Sequence, residues 1–332
     1  MDSLTQIVLG AAVGEAVLGR KIGNKAMLYG AIAGTIPDLD ILSSYFTDTV
    51  SALEIHRGFT HSIVFSVLFA PIFAFIVSKY EAYKNIKNWS WLFFLAFVTH
   101  PILDAHTTWG TQLFWPLDIR LAFKNVFVVD PLYTLPFLIF LILAMRQKKE
   151  SKKRRFYNNS GLIISSSYLL ITLVLKSITY QTFTKELTEQ NIIYKEIETK
   201  PSPLNTILWS ANVETENAYL IGNSSFFDSK PIFFSRYPKN HYLLGDLKNH
   251  PKVKRMIAIS KGWYTINKKN NVLYFNDLRF GLLSMKPNAE NFVFKYKIEI
   301  DSAGTPFFIE EPKEKRDAKK LLSELWVRIK GN

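Results

Sequence analysis

The chain has 332 residues, a formal net charge of +13 at pH 7 and no cysteine. The lack of cysteine excludes disulfides, thiolate metal ligands and cysteine nucleophiles. Hydrophobic residues make up 48% of the sequence; their long charge-free runs fall within residues 1–178, whereas residues 179–332 are rich in Lys, Asn and Glu. The chain is therefore predicted to be mainly α, with a polytopic helical membrane domain over 1–178 and a small soluble α+β domain over 179–332.

Four segments of the first domain lack Asp, Glu, Lys and Arg altogether, which is typical of helices that cross a membrane. They are Ser62–Ser78, Trp89–Leu103, Pro131–Met145 and Ser160–Leu175. All four lie near the lower length limit for crossing a bilayer, so flanking residues or local thinning of the bilayer must complete the crossing. The alternative is that they are buried helices of a large soluble bundle.

Two further segments, Leu4–Leu18 and Ala26–Ile36, are shorter and rich in Gly and Ala, which brings the predicted total to about six helices. Each contains two glycines four residues apart: Gly10 and Gly14 in the first, Gly30 and Gly34 in the second. Small residues at this spacing let helix backbones approach closely within a membrane. We predict a tightly packed hairpin, in which the charge of Glu15 requires a partner.

Loop charges predict how the six segments are oriented. Loops one, three and five carry thirteen Lys and Arg residues, seven of them within 146–155. Loops two (37–61) and four (104–130) carry only Arg57, Arg120 and Lys124. Under the positive-inside rule the basic loops face the cytoplasm. Loops two and four, both termini and the second domain are therefore expected to be extracytoplasmic.

The positive net charge is compatible with nucleic acid or with anionic lipid as a partner. Because much of this charge lies in short loops between apolar segments, it favours membrane lipid, and no nucleic-acid partner is expected. The second domain is predicted to open with a polar helix to about Thr199 and to close with an amphipathic helix over Lys313–Ile329. Alternating runs between them predict strands: Thr206–Val213, Tyr264–Asn267, Val272–Asn276 and Phe292–Ile300.

Potential metal ligands gather at one end of the predicted helices, in the loops expected to face outward. They are Asp38, Asp40, His56, His61, His100 and Asp104. His and carboxylate side chains without Cys suit a divalent ion such as zinc, manganese or iron. Each of these types alone is more often a structural helix cap or a turn residue. Six at one membrane face predict a metal site, because an ionisable group at membrane depth costs about 2.5 kcal/mol or more.

Local spacing supports part of this set. His100 and Asp104 are four residues apart, so on a helix they point to one face. Pro37 is predicted to stop its helix and to leave Asp38 and Asp40 on an extended turn. His56 and His61 are too far round a continuous helix to converge, and the intervening Gly58 indicates that the loop turns into the helix between them.

Aromatic and basic residues surround these ligands in the sequence. Trp109 and Trp115 are candidates for the apolar wall of a substrate pocket, or else belong to an interfacial aromatic loop. Arg57 is placed to neutralise a phosphate, or to pair with Asp38 or Asp40. Asp130, directly before Pro131, is predicted to be a helix N-cap rather than a ligand.

The ordered motifs resemble those of the bacterial membrane-bound metal-dependent hydrolase family, also called YdjM-like, over about residues 1–178. The motifs are Met1-Asp2-Ser3-Leu4-Thr5, Gly30-Ala31-Ile32-Ala33-Gly34 leading to Pro37-Asp38-Leu39-Asp40, His56-Arg57-Gly58-Phe59-Thr60-His61-Ser62, His100-Pro101-x-x-Asp104, Gly110-Thr111-Gln112 with Trp115-Pro116, and Asp130-Pro131-Leu132-Tyr133-Thr134. The resemblance implies a multi-pass protein of the bacterial inner membrane. One departure is Gln6, since many members have His after the corresponding Thr.

The family is considered similar to zinc-dependent phospholipase C and to single-strand-specific nucleases, which implies zinc as the metal and the six His and Asp residues as candidate ligands. The resulting hypothesis is a hydrolase that cleaves a phosphoester of a lipid or lipid-linked substrate, with Asp38 or Asp40 as general base. The alternative is a non-enzymatic membrane protein with a structural or sensing metal site and a partner-binding second domain.

Overall fold

In the computed structural model, which describes residues 1–312 and 318–332, the chain divides into two compact units. The helical unit comprises Met1–Ser43, Ile55–Val174 and Pro203–Asn205; the β unit comprises Ser44–Glu54, Leu175–Ser202 and Thr206–Asn332. One long helix contributes to both units, because the division between Val174 and Leu175 falls inside it. The predicted boundary between residues 178 and 179 lies within the same helix.

Seven α-helices precede the first strand in the described chain. They are α1 (Ser3–Ile22), α2 (Asn24–Thr35), α3 (Thr49–Ile55), α4 (Ile63–Tyr80), α5 (Ile86–Asp104), α6 (Pro131–Met145) and α7 (Lys152–Glu189). All except α3 correspond to the six predicted apolar segments, so the prediction of helices there is confirmed. The short α3 was not predicted. Its residue Val50 is buried among Leu244, Val253 and other core side chains of the β unit.

The prediction of about six membrane-crossing helices is only partly supported. Within the described residues, two helices are long and apolar enough to cross a membrane, namely α4 and α7. Helix α6 is apolar but has 15 residues. Helices α1 and α5 have 20 and 19 residues but carry polar and charged side chains along their length, among them Gln6 and Glu15 in α1 and Lys87 and His100 in α5.

The predicted close packing of α1 and α2 is confirmed. A Cβ atom on Gly10 would lie 2.2 Å from the carbonyl oxygen of Gly30, and one on Gly30 would lie 2.1 Å from that of Gly10. Only glycine therefore allows the two backbones to touch here. The predicted need of Glu15 for a partner is also confirmed, since Arg154 of α7 pairs with it in the protein interior.

Antiparallel packing of α4 on α5 positions the candidate site. Aromatic rings hold the pair together, with centroid separations of 5.3 Å for Phe65 and Phe97 and 5.6 Å for Phe73 and Phe93. Burial of such rings stabilises the pair by about 1.5–3 kcal/mol per side chain. Because the helices are antiparallel, the end of α5 lies beside the start of α4.

The β unit contains two four-stranded antiparallel sheets, each with its strands in chain order. The first is formed by β1 (Glu196–Pro201), β2 (Leu208–Glu214), β3 (Ala218–Ser225) and β4 (Phe234–Pro238), and the second by β5 (Tyr264–Lys269), β6 (Val272–Leu282), β7 (Phe292–Ile300) and β8 (Pro306–Glu310). Helix α8 (Pro251–Ile259) precedes the second sheet and α9 (Ala318–Ile329) follows it.

The four predicted strands correspond to β2, β5, β6 and β7, and their prediction is confirmed. The predicted helix to Thr199 is wrong in its last part. Helix α7 ends at Glu189, and β1 follows because its backbone pairs with β2, with Thr199 opposite Ala211. The predicted C-terminal amphipathic helix is present from Ala318, whereas its residues 313–317 lie outside the described part of the chain.

Candidate metal centre

Four of the six predicted ligands come together at one end of the helical unit. They are Asp38, His61, His100 and Asp104, and their ligand atoms all lie within 4.8 Å of one another. The last turn of α5 supplies His100 and Asp104, and a short 3₁₀ helix before α4, Phe59–His61, supplies His61. Their side chains are buried, whereas that of Asp38 is 29% exposed. The group therefore has one side near the surface.

The geometry of the group fits a divalent ion. His100 Nε2 lies 3.2 Å from His61 Nε2 and 3.4 Å from both Asp38 Oδ1 and Asp104 Oδ2. His61 Nε2 lies 3.3 Å from Asp38 Oδ1 and 3.4 Å from Asp104 Oδ2. Ligand atoms around a tetrahedral zinc, with bonds of about 2.0–2.1 Å, are about 3.3 Å apart. Five of the six separations in the group thus match the edge of a tetrahedron.

Both imidazoles are held so that Nε2 faces the group. His100 Nδ1 lies 2.7 Å from the carbonyl oxygen of Gly34 at the end of α2. His61 Nδ1 lies 3.3 Å from Asp40 Oδ2 and 3.1 Å from Thr60 Oγ1. Metal-binding histidines usually have this arrangement, with the second ring nitrogen donating to a carbonyl or carboxylate that fixes the tautomer.

Asp104 carries an atom that lacks a suitable partner. Its Oδ1 accepts from Gln6 Nε2 at 3.1 Å and contacts the Met1 amino group. Its Oδ2 is buried without a hydrogen-bond partner. Arg57 Nε lies 3.2 Å away, but the alignment does not make a hydrogen bond. Because a buried carboxylate oxygen without a donor is costly, a cation between Oδ2 and the imidazoles would satisfy it.

The other two predicted ligands, Asp40 and His56, lie outside the group. Asp40 Oδ1 is 3.0 Å from His56 Nδ1, and Asp40 Oδ2 accepts from the backbone N–H of Arg57 at 2.7 Å. Asp40 thus bridges His56 and the outer nitrogen of His61. The predicted extended turn after Pro37 is wrong, because Pro37–Tyr45 is a 3₁₀ helix. In that helix Asp38 and Asp40 diverge and approach opposite sides of His61.

The predicted substrate-binding residues lie around the ligands. Arg57 is buried and donates to Thr107 Oγ1 at 2.8 Å, so its positive charge lies beside Asp104. The ring centroid of Trp109 is 5.7 Å from that of His56. Trp115 is partly exposed and packs on Phe59 at 4.9 Å, away from the ligand atoms.

Two residues, Gln6 and Thr107, make contacts at the site that the sequence analysis did not predict. Gln6 is fully buried and touches Asp104, so the position at which the family commonly has His is directly beside the group. The departure from the family motif was the signal for Gln6. Thr107, which accepts from Arg57, opens the segment that includes Trp109 and Trp115 and was a candidate for the pocket lining, but its contact with Arg57 was not predicted. Asp130 caps α6 by accepting from Leu132 N and Tyr133 N, which confirms the predicted N-cap.

Hydrogen bonds dominate the electrostatics of the loops at the site. Burial opposes a charged imidazole, but the carboxylates of Asp104, Asp38 and Asp40, each within 3.4 Å of a ring nitrogen, outweigh it and raise the pKa of His61 to about 9. Burial likewise opposes ionisation of Asp38, yet the hydrogen bonds with His100 and His61 hold the pKa of Asp38 well below its usual range. Without a metal ion, a proton on His61 therefore partly balances the carboxylates at neutral pH.

Two helices of the described chain are long and apolar enough to cross a membrane, and a cluster of Asp and His side chains at one end of the helical unit is a possible metal site. Residues 1–182 match the sequence profile of the YdjM inner membrane protein family, and the chain belongs to this family. The match covers α1 to α6 and most of α7.

Individual relatives resemble parts of the chain. "Inner membrane protein YbcI" of Escherichia coli (strain K12) is 29% identical over 112 residues, which are 34% of this chain and 64% of the relative. "Uncharacterized protein YfhP" of Bacillus subtilis (strain 168) is 32% identical over 143 residues, 40% of this chain and 42% of the relative. The chain thus spans about half the length of these relatives. No solved structure matches the chain.

Proposed function

We propose that the chain is a membrane-bound metal-dependent hydrolase that cleaves a phosphoester of a lipid or lipid-linked substrate, in the manner of a phospholipase C. The observation that carries this proposal is the spacing of three buried ligand atoms, those of His61, His100 and Asp104, which lie 3.2–3.4 Å apart. Zinc is the expected ion, because it favours His and carboxylate ligands in this geometry. A bound zinc ion supplies a Lewis acid and a water of lowered pKa.

The ligand group divides by burial. His61, His100 and Asp104 are the fixed, buried members and would hold the ion, and a set of three protein ligands is typical of catalytic zinc sites. Asp38 is the most exposed member and lies at the surface side of the group. We assign Asp38 the role of general base, which accepts a proton from the attacking water at Oδ1. Asp40 holds His61 in place through Nδ1.

Nearby side chains are suited to a phosphate and its apolar substituent. Arg57 offers a buried positive charge beside Asp104, where negative charge develops on a phosphoryl oxygen during cleavage. Trp109 lies against His56 and offers an apolar wall. Trp115, further out on Phe59, is assigned to the lipid portion of the substrate rather than to the reacting phosphate.

The site is proposed to lie at the outer face of the inner membrane. The three basic loops meet at the end of the helical unit opposite the ligands, where Lys25 pairs with Glu81 and Asn24 bonds to the carbonyl of Met145. Since basic loops are expected in the cytoplasm, this arrangement supports an outward-facing site. An alkaline phosphatase fused after Asn332 should be active in intact cells. A stably produced but inactive fusion would overturn the assigned side and the six-span topology.

Hydrolysis is tested with purified protein reconstituted in nanodiscs, supplied with zinc and offered phospholipids and isoprenoid phosphates. Asp38→Asn keeps the size of the side chain but cannot accept the proton, so the rate should fall by about 100-fold or more. Asp118→Asn is the matched control, because Asp118 lies on a neighbouring loop and bonds to Gln112. Its rate should equal that of the unmodified protein.

Two results would contradict the enzymatic proposal. The first is a chain that binds zinc and hydrolyses none of the phosphoesters offered. The second is a set of ligand variants that lower thermal stability while leaving any hydrolysis unchanged, which would favour a structural or sensing metal. Equal rates for Asp38→Asn and Asp118→Asn would remove Asp38 as the general base but leave the metal centre in place.

A further inference from the structure

Two segments that border the metal centre expose large apolar side chains. Residues 37–45 form the 3₁₀ helix that carries Asp38, and residues 111–121 form a loop closed by backbone hydrogen bonds between Thr111 and Leu121 in both directions, each 2.9 Å. The exposed side chains are Leu39, Ile41, Leu42, Phe114, Leu117 and Ile119, each between 46% and 62% exposed. We call these six residues the apolar rim.

Two charged residues of the same segments point inward, whereas Asp118, between Leu117 and Ile119, is exposed and accepts from Gln112. Asp40 is buried against His56 and Arg57. Arg120 Nη1 donates to the carbonyl oxygen of His56 at 3.1 Å. A segment surrounded by water normally shows the opposite arrangement, with charges outside and large aliphatic side chains inside. The inversion around Asp40, with three large aliphatic side chains exposed beside it, indicates an apolar environment around the rim.

The rim continues the apolar surface of two helices. The N–H of Ile63, the first residue of α4, donates to Leu113 in the loop at 3.0 Å. One turn further, Val67 and Leu68 of α4 are both 54% exposed. In α2, which directly precedes the 3₁₀ helix, Leu28 and Ile32 are likewise exposed, so the apolar surface continues along this part of the chain as well. Since α4 is able to cross a membrane, its exposed face is a lipid-facing surface, and the rim extends that surface beyond the helix ends.

The loop is built to hold this surface in place. Gly110 has φ +72°, and a Cβ atom there would lie 2.2 Å from the carbonyl oxygen of Leu121, so the chain reversal requires glycine. Trp115 packs on Phe59 at 4.9 Å, which anchors the middle of the loop to the segment that carries His61. Tryptophan at such a position is typical of the membrane interface.

We propose that the apolar rim inserts into the bilayer at the boundary between headgroups and acyl chains, so that the metal centre opens at the lipid interface rather than into bulk water. Lipid is the occupant, because the rim is continuous with the exposed face of α4 and its six side chains carry no charge that would pair with a protein partner. The insertion does not depend on catalysis. Its use for access of a lipid substrate rests on the proposed function.

Single-cysteine labelling tests the insertion directly, because the natural chain has no cysteine. Ile41→Cys and Leu117→Cys, labelled with an environment-sensitive fluorophore, are reconstituted in proteoliposomes with and without doxyl-labelled phospholipids. Ile72→Cys on the exposed face of α4 is the lipid control, and Glu150→Cys in the basic loop is the water control. Both rim labels should match the blue-shifted emission and strong lipid quenching of the Ile72→Cys label.

Emission and quenching like those of Glu150→Cys would overturn the proposal. Rim labels that are shielded from water in native membranes but exposed to water in proteoliposomes of the purified chain would also overturn the proposal. Such a difference would show that a protein partner covers the rim. If Ile41→Cys does not fold, as judged by gel filtration, Leu42→Cys and Ile119→Cys replace it. None of these results depends on turnover, so the proposal fails or stands separately from the proposed hydrolysis.

A second arm tests substrate access. Ile41→Asn combined with Leu117→Asn should lower hydrolysis of phospholipid vesicles by about tenfold or more, since apolar side chains withdrawn from the bilayer weaken engagement of the lipid. Hydrolysis of a water-soluble short-chain phosphoester should be unchanged. Equal losses on both substrates would contradict the access role.

Discussion

Helix α1 contributes to two clusters around buried carboxylates, those of Glu15 and Asp104, and the surroundings of the two carboxylates differ. In the C-terminal half, both oxygens of Glu15 accept from Arg154, at 2.6 and 2.5 Å, and Arg154 Nη1 bonds to Asn24 Oδ1. In the N-terminal half, Gln6 contacts Asp104, whose Oδ2 has no hydrogen-bond partner. The first cluster is saturated with donors, whereas the second is not.

This difference separates a structural ion pair from a set of ligands. One carboxylate and one guanidinium neutralise each other around Glu15. Around Asp104, two carboxylates and two imidazole nitrogens converge beside the Met1 amino group and Arg57, yet Oδ2 lacks an aligned donor, which costs a buried acceptor about 1–3 kcal/mol. Such a cost is expected where a ligand supplies the missing charge. The comparison therefore predicts that changes in the first cluster alter stability and that changes in the second alter metal binding.

The largest expected effect is on stability in the first cluster. Arg154→Met should lower the free energy of unfolding by about 3–5 kcal/mol, because it leaves the carboxylate of Glu15 buried without a partner. Adding Glu15→Leu should restore most of this loss. Thermal or denaturant unfolding in detergent measures the change, with Lys153→Met at an exposed neighbouring position as control. An Arg154→Met protein as stable as Lys153→Met would contradict a structural role for the pair.

Removal of a ligand should act on metal affinity instead. His100→Ala removes Nε2 from the group and should weaken metal binding by more than about 100-fold, beyond the range seen for residues behind the ligands. His106→Ala is the matched control, because His106 bonds to Asn125 and lies outside the group. Competition titration with a chelating dye measures both variants. Equal affinities in the two variants would remove His100 from the ligand set.

A smaller effect is expected at the residue that supports His61. Asp40→Asn keeps the shape of the side chain but weakens its hold on His61 Nδ1, so metal affinity should fall by about 10–100-fold. The same titration distinguishes this role from direct ligation. A loss as large as that of His100→Ala would make Asp40 a ligand, as the sequence predicted, and no loss would make its contact with His61 irrelevant to the metal.

The smallest expected effect is that of pH on metal affinity, counted per pH unit. The pKa of His61 in the metal-free protein is about 9, above its ordinary value, so binding at neutral pH must displace a proton. Apparent affinity should therefore rise by about tenfold per pH unit between pH 7 and 9 and level off above 9. Calorimetry in buffers of different ionisation enthalpy counts the released protons. No proton release at pH 7 would contradict the raised pKa.

Local patterns predicted the parts of the site that lie within one element. The spacing of His100 and Asp104 required only one helical turn, and their side-chain atoms are 3.4 Å apart. The contact of His100 with Gly34 could not be read from the sequence in this way. It joins residues 66 positions apart and depends on how closely α1, α2 and α5 pack.

The same limit applies to the fold. The apolar segments and alternating runs were sufficient for six helices and four strands. The polar segment around Glu196 has the composition of a helix, and it becomes β1 because β2 offers a pairing partner. Arg154 belonged to a run of basic residues with nothing to distinguish it, and only tertiary packing selects it, 139 positions from Glu15. Helices α4 and α7 are long and apolar enough to cross a membrane, and actual crossing by all six helices stays a prediction.

X-ray absorption at the zinc edge of the loaded, purified chain tests the central claim most directly. We predict one tightly bound ion whose first shell consists of nitrogen and oxygen at about 2.0–2.1 Å, with the outer scattering of two imidazoles and no sulfur. In His100→Ala the scattering should fall to that of one imidazole. A purified chain that retains no metal, or a spectrum without imidazole scattering, would contradict the assignment of Asp38, His61, His100 and Asp104 as a metal centre.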